Sequence, residues 1–127
     1  MYLKNLCEQS SKGKIARCKE YLLTFDEAQE NIKYQYVLID TEIILLPCLI
    51  NNKRHKLFHN TMCYNRDVTC SGELIINNNI CIIDNFSGHY RPPETNLILC
   101  IEIFKKLYPQ YDYRAEVFTG EYKGKTK

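Results

Sequence analysis

Apolar residues change rhythm along the chain, and each rhythm predicts an element. Between Gly13 and Leu23, Ile15, Cys18 and Leu22 recur at helical spacing, which puts them on one face of a first helix. Thr24-Phe25-Asp26-Glu27 has the Thr-x-x-Glu spacing of a capping box, in which hydroxyl and carboxylate each satisfy a free backbone N–H. It predicts a short second helix over residues 25–32. From Tyr34 the pattern shortens to the β-rich runs "YQYVLID", "EIILLP", "HKLFHNT", "GELIIN" and "NICIID", separated by turn-formers. These read as a meander of antiparallel strands. In "GELIINNNICIID" the asparagines tolerate a left-handed backbone and join two Ile-rich strands into a hairpin. Pro93-Glu94 opens a helix over residues 94–108, where a missing N–H costs nothing and negative charge is favoured. Its inner face is Leu97, Ile101, Phe104 and Tyr108, with Ile98 beside them, and Pro109 ends it. Arg114–Thr119 alternates as a last strand.

The expected fold is α+β: one antiparallel β-meander sheet of about five or six strands, two N-terminal helices, and the 94–108 helix packed on the sheet. With 127 residues the chain fits a single domain. Its parts are a helical stretch 1–33, a sheet-plus-helix body 34–119, and a basic tail 120–127 carrying Lys123, Lys125 and Lys127.

Composition narrows the class. A formal charge of +2 with 25% charged residues gives no reason to expect nucleic acid, and the tail lysines read as a solvated end. The seven cysteines are odd in number and form no CxxC pair, which argues for buried thiols in a reducing compartment. The first residues lack an apolar signal core, and no apolar run approaches the ~20 residues of a membrane span. The expected location is intracellular and cytoplasmic. Abundant Asn, Ile, Lys and Tyr without Trp fit an AT-rich coding genome.

The chemistry concentrates in "DNFSGHYRPP". Ser87-Gly88-His89 stands where a strand gives way to a helix, a junction that leaves backbone N–H groups free for an anion or polar ligand. Gly88 permits close approach or a positive φ, and Arg91 can grip a carboxylate or phosphate with two parallel bonds. If "LFHNT" is a strand, His59 and Thr61 share one face, and "SGELII" adds Glu73. His59, Glu73 and His89 are therefore the candidate catalytic residues, and Thr61, Ser87, Gly88, His89, Tyr90 and Arg91 the candidate ligand contacts. The bland alternative is that His89 and Tyr90 cap a turn and Glu73 is an ordinary hairpin carboxylate. His59, Cys63, Cys70, Cys81 and His89 carry metal-ligand atoms, but only the first two approach zinc spacing, and no metal is expected. Asn85-Phe86-Ser87 is a sequon relevant only to a secreted chain, and no P-loop, GxGxxG or nucleophile elbow is present.

The stretch from Phe58 to Leu97 resembles a segment shared by a dispersed group of proteins in bacteria, giant DNA viruses, fungi and plants. Its pattern is His-His-Ser-Ser, a small-small-Gly-Glu strand, a turn, a second strand ending in Asn or Ser, and Ser-Gly-His-Tyr-Arg/Lys-Pro. Ser71-Gly72-Glu73 and Ser87–Pro92 stand on the second and last elements. In the first element Phe58 replaces the first His, Asn60 the first Ser and Thr61 the second, leaving His59 intact. Plant members resemble calmodulin-binding proteins with an IQ motif outside this segment. No such motif is seen here, so calmodulin is not implied. The resemblance brings relatives of uncertain biochemical function.

The function expected is that of a small intracellular binding or interaction protein of a virus or host-associated microbe, in host cytoplasm or virion. Its partner is a protein or a small polar or anionic ligand at the Ser-Gly-His-Tyr-Arg-Pro corner, with neither nucleic acid nor membrane and no cofactor. Two alternatives stand beside it. One is an NAD-dependent ADP-ribosyltransferase-like enzyme, since "LFHNT" resembles the His-Gly-Thr strand that grips the nicotinamide ribose, with Glu73 or Glu116 as the carboxylate. The other is a structural or accessory protein without a small-molecule site.

Overall fold

The run Lys33–Ile39 (strand β1) is buried at five consecutive positions, so it has apolar neighbours on both faces and cannot lie at a sheet surface. The computed structural model, which describes residues 2–124 and Thr126, accounts for this. A first helix, α1 (Lys12–Lys19), precedes β1, followed by a single 3-10 turn at Phe25–Glu27. After β1 come β2 (Glu42–Pro47), the small hairpin β3 (Leu49–Ile50) and β4 (Lys53–Arg54), and the one-turn helix α2 (His59–Met62). The chain ends with β5 (Cys70–Asn77), β6 (Ile80–Asp84), α3 (Glu94–Leu107) and β7 (Asp112–Glu116). The main sheet has the order β2-β1-β5-β6-β7.

Side-chain parity divides the sheet into two cores. Tyr34, Tyr36 and Leu38 of β1, with Leu74, Ile76, Cys81 and Ile83, face α3, which contributes Leu97, Cys100, Ile101 and Phe104. Phe104 is the hub, meeting Phe25 edge-on at 5.3 Å and Tyr36 at 5.9 Å. A fully buried ring of this size contributes about 2–3 kcal/mol by transfer from water. Val37, Ile44 and Leu46 face the other way, against Cys18 of α1, Met62 and Cys63 at α2, and Tyr90.

The α+β class holds, and several boundaries move for identifiable reasons. The first helix stops at Lys19, short of Leu23. Glu27 does reach back to the Thr24 N–H at 2.9 Å, but the second helix is only one turn. Beyond it, Gln29 N–H donates to Tyr34 Oη and Asn31 N–H to Ile76 O, so the sheet claims the donors a longer helix would have used. The meander is replaced by a mixed sheet. β5 pairs antiparallel with β1, and β7 runs parallel to β6 because α3 carries the chain back across the sheet. β7 also begins at Asp112, ahead of the expected Arg114. The β5–β6 hairpin is as expected, with Asn78 and Asn79 at φ 50° and 66°. Asn51 and Asn52 make an equivalent left-handed turn between β3 and β4.

The run "HKLFHNT" is not a strand. Both edges of β1 are already taken, by β2 and β5, and Thr61 N–H and Met62 N–H instead close a turn on Phe58 O. His59 and Thr61 therefore sit on α2. In the tail Lys123 is exposed, and Lys125 and Lys127 lie outside the described residues. No described helix is long and apolar enough to cross a membrane.

Candidate functional site

On the face opposite α3, helices α1 and α2 cover β1 and β2 but leave part of β5 open. Gln35 of β1 and Glu73 of β5 are cross-strand partners and point to this open side. Around them lies a cleft of about 740 Å³, whose lining includes His59, Glu73, Gly88 and His89 together with Cys7, Cys48, Phe58 and Phe86. This size lies within the range of small-molecule sites. The three candidate catalytic residues thus border one cavity.

Their chemical states differ. His59 is fully committed: its Nε2 lies 2.7 Å from Gly72 O and its Nδ1 3.1 Å from Ser87 Oγ. A carbonyl only accepts, so Nε2 carries the proton and the Ser87 hydroxyl donates to Nδ1. Burial lowers the His59 pKa to about 4, the hydrogen bond to Gly72 opposing and the neighbouring His89 assisting. Ser87 is only 1% exposed and outside the cleft lining, and its bond to His59 ties α2 to β5 and the turn. His55 lines the same cleft with both nitrogens used, by Pro47 O at 2.7 Å and the Leu57 N–H at 3.1 Å.

His89 is the exception among the three histidines. Its Nδ1 lies 3.1 Å from Asn5 Oδ1, an oxygen that also accepts the Cys7 N–H, while Asn5 Nδ2 donates to Glu8 O. Those bonds fix the amide, so Nδ1 is the donor and Nε2 keeps its lone pair. Nε2 has no hydrogen-bond partner among the described residues. Burial lowers the His89 pKa, with the charges of Arg91 and Lys14 adding to the effect, and the ring is neutral at pH 7. Phe58 stacks on it at 5.5 Å.

Glu73 is ion-paired with Lys33 at 3.2 Å, and the Cys48 thiol approaches its second oxygen at 3.9 Å. Burial raises the Cys48 pKa to about 12, reinforced by Glu73, so this sulfur is a thiol and no nucleophile at neutral pH. Burial works against the Lys33 charge, but Glu73 outweighs it and holds the ammonium above its ordinary range. Arg54 borders the cleft and has no ion-pair or hydrogen-bond partner for its guanidinium among the described residues.

The other expected ligand contacts are occupied elsewhere. Thr61 Oγ1 pairs with Ser10 Oγ at 2.8 Å. The Tyr90 hydroxyl donates to Arg66 O at 2.6 Å, and burial raises its pKa. Arg91 donates from Nε to Gly88 O and from Nη2 to Gly124 O, and its guanidinium lies 4.9 Å from the Tyr122 ring. Only Gly88 and His89 of that set border the cleft. Gly88 has neither a positive φ nor a close neighbour; the left-handed residue of the turn is Arg91, at φ 47°. Glu116 is exposed at the end of β7, and the strand premise for an NAD-gripping "LFHNT" does not hold, since His59 is helical and inward-bonded. Cys70 and Cys81 lie in the core under α3, across the sheet from the cleft, and no group of three metal-ligating side chains occurs among the described residues.

Sequence reasoning missed Gln35, Cys48, Phe58 and Arg54 as cleft residues, and Asn5 as the partner of His89. The β1–β5 register would have placed Gln35 beside Glu73, had that pairing been foreseen. Asn5 had no local signal, being 84 positions from its partner. Comparison with protein-family models, with curated proteins and with solved structures finds no match.

Proposed function

We propose that the chain is a small binding protein whose ligand enters the cleft beside the Ser87–Arg91 turn and is held by His89. The observation that carries this is one ring nitrogen: a neutral imidazole, its tautomer set by Asn5, borders an open cavity with its second nitrogen unpartnered among the described residues. The lone pair of Nε2 is open to the cleft, where a ligand donor can replace water as its partner. The exposed rings of Phe58 and Phe86 at 44% and 41% exposure offer apolar contact beside it. This reading moves the site from the arginine of the corner, which is bonded within the chain, to its histidine. Kinship with the Ser-Gly-His-Tyr-Arg-Pro group and an intracellular, virus-associated setting belong to the same reading. It is supported by seven cysteines that are all free thiols, as a reducing compartment would keep them.

The test is a fragment screen by ligand-observed NMR on the parent chain and on His89→Ala, with circular dichroism confirming the fold. Loss of one charge-free hydrogen bond predicts that hits weaken by about tenfold in the variant. Hits of equal strength on both proteins, or none at all, would remove the proposal.

A further inference from the structure

The polar groups that the cleft leaves available are sorted by type, and the sorting describes a complementary molecule. His89 Nε2 accepts and has no donor among the described residues, while the Glu73 oxygens meet Lys33 and the Cys48 thiol, so donors on a ligand fit the His89 side of the cleft. Glu73 cannot be the charge a cationic ligand needs, because Lys33 already neutralises it. Arg54 is the opposite case, a cation on the short β4 strand with no anion beside it among the described residues, at the border of the same cavity. The walls between these groups are flat: Phe58 is stacked with its face on His89 and remains 44% exposed. Phe86, 41% exposed, is backed by Phe118 at 4.6 Å and by Tyr122 at 6.0 Å, the latter stacked nearly parallel at 6°. Rings so braced present rigid planes, on which a planar ring stacks at little entropic cost.

Resting on the proposed reading of the cleft, we infer that its ligand is a planar heteroaromatic ring with N–H donors, joined to an anionic group. Purine nucleoside monophosphates have this chemistry: amino and ring N–H groups for His89, a face for the phenylalanines, and a phosphate for the guanidinium. A purely aliphatic ligand would leave the planes unused. A free inorganic anion would reach Arg54 but offer nothing to His89 or Phe58.

The experiment is a calorimetric titration of the full chain with GMP, AMP, guanosine and inorganic phosphate, repeated on Phe58→Ala and Arg54→Gln. Both positions are exposed at the surface, so the variants keep the core. The expected result is binding of at least one nucleotide, weakened about tenfold when the phosphate is absent, and a comparable loss in either variant. Arg54→Gln should weaken the nucleotide while leaving guanosine unchanged. If neither nucleotide binds while uncharged fragments still bind in a His89-dependent way, the ligand class is wrong and the cleft reading stands. If nothing binds in either assay, both are wrong. Nucleotide binding indifferent to Phe58 and Arg54 would overturn the inference as well.

Discussion

A methyl group on Gly72 would stand 2.1 Å from the carbonyl oxygen of Asp84 and 2.8 Å from its carbon, so β5 and the end of β6 approach more closely than any side chain allows. That contact has a purpose: Gly72 O receives the His59 proton and Asp84 O the Tyr36 hydroxyl. Gly88, by contrast, has nothing within 4 Å of where a Cβ would lie and no positive φ. Gly72→Ala should therefore lose about 2–4 kcal/mol of stability through forced strand separation, while Gly88→Ala stays within about 0.5 kcal/mol. Urea unfolding midpoints decide it, and equal losses at the two positions would show that the site's backbone is misread. Both glycines lie in motifs that attract attention in the sequence, yet neither letter reveals which one the packing needs.

Two titrating groups, buried His59 and half-buried Asp84, join elements, and they oppose each other in pH. Asp84 accepts the Glu73 and Phe86 N–H groups at 2.7 and 2.9 Å, linking β5, β6 and the turn. Burial nevertheless lifts its pKa from 3.8 to about 6. A folded-state value above the unfolded one gives stability that is complete below pH 3.8 and lost as pH rises through 6. His59, linking α2 to β5, is pushed down from 6.5 to about 4, so its contribution is present above 6.5 and lost as pH falls through 4. The two contributions, each on the order of 3 kcal/mol, largely cancel across that window. Asp84→Asn keeps the acceptor oxygen and removes the charge. It should stabilise the protein at pH 7, and the gain should vanish by pH 4. Chemical denaturation at both pH values checks this, and a gain independent of pH would contradict it.

Elements whose periodicity is local were legible beforehand: α3, with Leu97, Ile101 and Phe104 inward, and the Asn78-Asn79 hairpin. The mixed sheet was not, because β1 pairs with β5 only after β2, the β3–β4 hairpin and α2 have intervened, and β7 lies parallel to β6 only because α3 crosses the sheet. The "HKLFHNT" run failed because its backbone closes on itself, Thr61 and Met62 N–H both bonding Phe58 O, and a β-like pattern does not by itself decide between strand and turn.

The cleft belongs to the whole molecule. Cys7 comes from the N-terminal segment, which follows the turn through the bond from Leu6 N–H to His89 O, and Asn5 just before it holds the His89 ring. Cys48 and Arg54 come from the β3–β4 region, Glu73 from the sheet, and Gly124 from the C-terminal segment that Arg91 holds in place. The residues His59, Glu73 and His89 could be picked out by type, but their different states could not. One histidine is used up by Gly72 and Ser87, and another is held open by an asparagine at the far end of the chain. The central claim is therefore the state of the His89 ring. A long-range ¹H–¹⁵N NMR spectrum of the histidines at pH 7 should show His89 protonated at Nδ1, with an unprotonated Nε2 whose resonance moves on adding a bound fragment, and Asn5→Ala should release the tautomer. A His89 carrying its proton on Nε2, or charged on both nitrogens at that pH, would contradict the account.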